Sequence, residues 1–141
     1  MRNELRNGLS LHPELTAALE ADWLGVDELG TFEALSAFER WTTRIGAGKH
    51  DMGEASVFAA AELNHAIAIT DDGAATKVAR KYGLEVHGTL WLLARSCRSG
   101  KLMIGEAATI VEMLVDTGMR LPCSGSGFAT WARSHQLLPR E

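Results

Sequence analysis

Residues 66–70 read Ala-Ile-Ala-Ile-Thr, and the next two residues are both acids, Asp71 and Asp72. A run with no charged position and apolar residues on both faces has no side to turn to water, so as a strand it needs cover on both sides, as in a parallel sheet. Parallel strands need a crossover, usually a helix. The residues after the acids supply one: Ala74 to Tyr82 has helical spacing, with Ala75, Val78, Ala79 and Tyr82 on one side and Lys77, Arg80 and Lys81 on the other. A second short strand, Leu84-Glu85-Val86, follows directly. This strand–helix–strand pattern predicts an α/β fold with a small parallel sheet flanked by helices.

The rest of the chain is mostly helical in pattern. Met1 to Asn7 reads as the end of a helix stopping at Gly8, and Pro13 to Ala21 as a short helix with Pro13 in its first turn. Thr31 to Ile45 is amphipathic, with Phe32, Leu35, Phe38, Trp41 and Ile45 as the expected inward stripe. Gly53 to Asn64, Leu90 to Arg98, Glu106 to Thr117 and Ser126 to Gln136 also read as helices. Trp23 to Val26 and Arg120 to Cys123 are possible further strands. Gly83, Gly100 and Gly118 each follow a helical run, where a left-handed terminating residue is expected. The tryptophans at 23, 41, 91 and 131 fall in apolar runs and are expected in the core.

The chain has 141 residues, the size of one domain, and no repeat or linker divides it. Apolar residues make up 46% and charged residues 23%, the balance of a soluble globular protein rather than a disordered one. No apolar run is long enough for a transmembrane helix, and the first eight residues do not form a secretory signal. Cys97 and Cys123 have no metal-ligand spacing, so a reducing, cytoplasmic setting is expected. The net charge of −4 argues against tight non-specific binding to a phosphate backbone.

Asp71 and Asp72 stand at the carboxyl end of a strand, where open α/β sheets bind ligands. Two carboxylates there suit magnesium or manganese, which prefer oxygen ligands. An Asp ahead of a helix also serves as an N-cap, and on spacing alone capping is its commoner use. Glu54 lies on the same helical stripe as Val57, Phe58 and Ala61, where a carboxylate is costly unless paired or metal-bound. With Asp51 as N-cap, however, Glu54 also fits a capping box. Glu4, between Arg2 and Arg6, reads on its own as a surface acid. Lys77, Arg80 and Lys81 form a modest basic face beside the acids. The five histidines lack zinc-hydrolase spacing, and neither a nucleophile elbow nor a phosphate-binding glycine loop is present.

From Gly53-Glu54-Ala55 onward, the chain resembles the PIN-domain family. The elements that carry the resemblance are an alanine-rich helix, Thr70-Asp71-Asp72, Tyr82-Gly83-Leu84, Val86 and Gly88-Thr89-Leu90, followed by a leucine-rich helix. The pattern is similar to a prokaryotic toxin-like subgroup with a GEA helix, a DD and a V-x-GT element. The resemblance implies a Rossmann-like three-layer fold and an acid cluster that holds Mg²⁺ or Mn²⁺. It places Glu54 and Asp72 at the metal, with Asp71 beside Asp72. Asn3-Glu4-Leu5 matches the E-L element, which makes Glu4 a further acid. Thr89 falls just outside the metal, and Thr89 and Lys77 are expected near substrate.

The family opens with a strand carrying an Asp before the E-L element, whereas this sequence starts almost at E-L. The expectation is a single PIN-like domain over residues 1–141, lacking that strand and one acid. Two functions remain open. One is a divalent-metal-dependent endoribonuclease, the toxin of a toxin–antitoxin pair, with RNA as substrate, an antitoxin protein as partner and a homo-oligomeric state. The other is a catalytically impaired PIN-like protein that acts as an interaction module. A strand left without its neighbour would also expose an edge and favour association.

Overall fold

The β-α-β unit expected from the sequence is present. In the computed structural model, which describes residues 2–46 and 52–139 and side chains from residue 5 onward, strand β1 (Ala68–Ile69) pairs in parallel with β2 (Val86–His87). Ala68 faces Val86 and Ile69 faces His87. The ladder is carried by Ala68 N–H to Glu85 O at 3.0 Å and Thr70 N–H to His87 O at 2.9 Å. Helix α5 (Gly73–Lys81) makes the crossover. Its Arg80 reaches back to the sheet, Nη2 donating to Val86 O at 2.7 Å. Arg80 therefore leaves the expected basic face and ties the crossover to β2. Tyr82, expected inward, is exposed, whereas Ala75 and Ala79 are buried. The fold is α/β, with a small parallel sheet and helices around it.

The chain divides into two compact units, residues 1–66 and 67–141. The first holds α1 (Arg2–Gly8), a 3₁₀ turn (Pro13–Leu15), α2 (Thr16–Leu19), α3 (Phe32–Ile45) and α4 (Met52–Asn64). Its core is the α3–α4 contact. Thr31 caps α3, accepting from Ala34 N–H at 3.1 Å, and Gly46 ends it at φ +64°. The buried side of α3 is Ala34, Ala37 and Trp41, set against Ala55, Phe58, Ala59 and Ala61 of α4. Trp41 and Phe58 meet edge to face with ring centroids 5.3 Å apart. Glu62 on α4 accepts from Trp41 Nε1 and Arg40 Nη2, both at 3.1 Å, and from Arg44 Nη1 at 3.5 Å. These bonds set the facing of the pair. They turn Phe32 and Leu35, expected inward, out to solvent.

The two further strands expected from the sequence do not form. Residues 23–26 are irregular, and Trp23, expected in the core, is 81% exposed. The first unit has no strand among its described residues, so this run finds no partner for its backbone groups. Residues 120–123 are also irregular, and Pro122 has no N–H to give a ladder.

In the second unit, α6 (Thr89–Arg98), α7 (Ile104–Asp116) and α8 (Phe128–Ser134) enclose a core of Leu90, Ala94, Ala107, Val111, Phe128, Ala132 and Leu138. Gly125 lets α7 and the lead into α8 touch. Its N–H donates to Glu112 Oε2 at 2.8 Å, and a Cβ there would strike the backbone carbonyl of Ala108. Gly83, Gly100 and Gly118 all have positive φ, as expected of helix-terminating glycines.

Candidate active site

The two acids after β1 face different tasks. Asp72 is the N-cap of α5: its Oδ1 accepts from Ala75 N–H at 2.7 Å, and its own N–H donates to Thr70 Oγ1 at 3.2 Å. Asp72 Oδ2 has no hydrogen-bond partner among the described residues, and the residue is exposed. Asp71 turns the other way, to the start of α6. Its Oδ1 accepts from Thr89 N–H at 2.9 Å and its Oδ2 from Thr89 Oγ1 at 2.5 Å. Both carboxylates thus sit at helix N-termini, where the partial positive charge of unpaired N–H groups favours an anion.

Gly88 makes the second contact possible. A Cβ at this position would run into Asp71 Oδ1 and lie 3.5 Å from Asp71 Cγ and 3.6 Å from Thr70 O. Gly88 has an extended backbone, so it is a matter of space rather than of φ. The DD and GT elements, far apart in sequence, are one structural lock.

The structure brings Asp71, Asp72 and Thr89 together in the second unit, and Lys77 stands exposed on α5 of the same unit. Glu54 belongs to the first unit, in the opening turn of α4. It is half-buried and has no hydrogen bond or ion pair among the described residues. The side chain of Glu4 and the whole of Asp51, the partner in the expected capping box, lie outside the described residues. Within each unit, no three described His, Cys, Asp or Glu side chains gather into a metal-binding group. Neither cysteine is poised as a nucleophile. Burial pushes the Cys97 thiol up, helped by the Glu106 charge, and burial pushes up Cys123.

Sequence reasoning passed over Gly88 as more than a motif letter, and it passed over the exposed side of α6. His87 stacks flat on Trp91, with ring centroids 3.9 Å apart and planes at 3°. The Arg95 guanidinium lies 5.1 Å from the Trp91 ring centre. The only signal for this in the sequence is the spacing of His87, Trp91 and Arg95, four residues apart.

The family model for a PIN domain matches residues 3–125. The chain belongs to the PIN-domain family. No curated protein and no solved structure matches it significantly. Membership points to nuclease-type chemistry, to RNA and to a divalent metal. No helix among the described residues is long and apolar enough to cross a membrane.

Among the described residues, one carboxylate oxygen of the pair is left for such a metal. Asp72 Oδ2 is a carboxylate oxygen not committed to a hydrogen bond, and Asp71 beside it is fixed by Thr89 on both oxygens. Hard oxygen ligands of this kind are those that magnesium and manganese select.

Proposed function

We propose that this PIN-family protein is a Mg²⁺- or Mn²⁺-dependent endoribonuclease and the toxin component of a toxin–antitoxin pair. The observation that carries the reading is the division of labour between the adjacent acids: Asp71 is held on both oxygens, whereas Asp72 keeps one oxygen outward. Family membership and the order of the GEA, DD and V-x-GT elements support it.

Asp72 would offer its outward oxygen to the metal, with Asp71 beside it; Glu54 and Glu4 enter the acidic set through the family resemblance. When bound, the metal supplies activation of a water and neutralisation of charge on a phosphodiester. The protein's own groups do the rest. Thr89 fixes the Asp71 carboxylate through two hydrogen bonds and so positions it next to Asp72. Asp72 keeps its orientation through the bond to Ala75 N–H. Lys77, exposed on α5, offers a charge for a substrate phosphate. A cytoplasmic location, homo-oligomerisation and capture by an antitoxin protein belong to the same reading.

A second reading is favoured by those same bonds. Three of the four carboxylate oxygens of Asp71 and Asp72 already stabilise the fold. In an interaction module that no longer cleaves, the acids would persist as helix caps alone. Asp72→Asn separates the two readings, because Asn is as good an N-cap as Asp but a poor ligand for a hard cation. With a labelled RNA and Mn²⁺, the endoribonuclease reading expects cleavage by the native chain and at least a hundredfold loss in Asp72→Asn at unchanged stability. No cleavage by the native chain, or undiminished cleavage by the variant, removes it.

A further inference from the structure

Helix α6 buries Leu90 and Ala94 and carries a second stripe: Trp91, expected in the core but only half-buried, and the exposed Arg95 and Arg98. With Ser99 and Leu137 these residues line a cleft of about 430 Å³ in the second unit. Among the described residues, no acid lines the cleft, and neither Arg95 nor Arg98 has a carboxylate partner. For a chain of net charge −4 this is a local reversal of sign.

Basic residues in the last turn of a helix are often explained by the helix dipole. Here the final turn is closed by other groups. Ser99 N–H donates to Arg95 O, Gly100 N–H to Cys97 O and Lys101 N–H to Ser96 O, each at 3.0 Å. Arg95 is laid over Trp91 instead, and Trp91 is stacked against His87, whose Nε2 lies 3.0 Å from Glu85 Oε1. The aromatic ring therefore restricts Arg95, while its N–H donors have no partner among the described residues. That restraint lowers the entropic cost of binding an anion.

We propose that this cleft binds the phosphodiester backbone of single-stranded RNA, as a docking groove distinct from the acids at the other end of α6. The choice of RNA as ligand rests on the nuclease reading above. Two guanidinium forks match phosphate oxygens, and Trp91, itself backed by His87, holds one of them in place. Helix α6 links the two places. Thr89 at its start holds Asp71, and Arg98 lies nine residues on, about 14 Å along the axis at 1.5 Å per residue. An RNA strand lying along α6 would then meet the acids a few nucleotides from the arginines.

The test is fluorescence anisotropy of a fluorescein-labelled single-stranded RNA with the full chain in EDTA, which separates binding from cleavage, over a series of salt concentrations. Each phosphate contact contributes about 0.7 to the slope of log K against log salt for a single strand. Arg95→Gln/Arg98→Gln is expected to weaken binding about tenfold or more at low salt and to lower the slope by about 1.4. Arg98→Gln alone, which leaves Arg95 on Trp91, is expected to lower it by about 0.7. Both variants should melt like the native chain. Native-like binding and slope in the double variant overturn the proposal. So does arginine-dependent binding of an Asp/Glu-rich peptide in place of RNA. Arginine-dependent RNA binding by a chain that does not cleave in Mn²⁺ would remove the nuclease reading and leave the groove standing.

Discussion

Replacing Gly88 by alanine tests the lock between the two ends of the β-α-β unit. The new methyl would occupy the place of Asp71 Oδ1, while the backbone at Gly88 is extended and accepts any residue. Asp71 is exposed and short, so it would yield by rotating away, giving up both bonds from Thr89. Hydrogen bonds to a charged group are worth about 1.5–3 kcal/mol each, and solvent exposure places these at or below the low end. Loss of the carboxylate from the start of α6 adds about 0.3–1 kcal/mol. Against this, the substitution restricts the unfolded chain and returns about 0.4–1 kcal/mol. The net expectation is a destabilisation of about 2 kcal/mol. Urea unfolding followed by circular dichroism measures it. A double-mutant cycle isolates the cause, because in an Asp71→Ala background the methyl meets no carboxylate. There, Gly88→Ala should be neutral or slightly stabilising. If the two substitutions add, or if Gly88→Ala alone costs nothing, the lock as described does not exist.

Three further outcomes are expected. Asp72→Ala should cost about 1 kcal/mol through loss of the α5 cap, whereas Asp72→Asn should cost little; equal losses in thermal melts would mean the cap is unimportant. Cys97 and Cys123 titrate above the ordinary thiol range in the folded protein, so above the unfolded thiol pKa the unfolded state gives up protons first. Stability should therefore fall as pH rises through that alkaline window, and Cys97→Ser/Cys123→Ser should flatten the fall; an unchanged pH profile in the double variant would contradict this. Leu11, Trp23 and Phe32 of the first unit are 80%, 81% and 87% exposed, so light scattering should find a self-associated protein, and a strictly monomeric chain would remove that expectation.

Local pattern alone identified the strand–helix–strand core, the helices with their glycine ends and the adjacent acids. Each depends on neighbours a few residues apart: an apolar run, a 3.6-residue period, or a residue able to take positive φ. The inward side of α3 was not legible in this way. Its largest residues suggested a stripe through Phe32 and Leu35, but the buried side runs through Ala34, Ala37 and Trp41, opposite the alanines of α4. Small side chains allow close helix contact, and only the partner helix decides which stripe is used. Residues 23–26 and 120–123 have strand-like composition and no ladder, because a strand is made by its neighbour and not by its own residues. At the candidate site, the position of Asp71 and Asp72 after β1 could be read directly, as could the capping role open to Asp72. That Asp71 would instead turn to Thr89, and that Gly88 would have to leave room for it, could not. The parallel pairing of β1 with β2 brings their carboxyl ends side by side across the whole α5 crossover. Sequence separation carries no record of that contact, and tertiary structure alone created it.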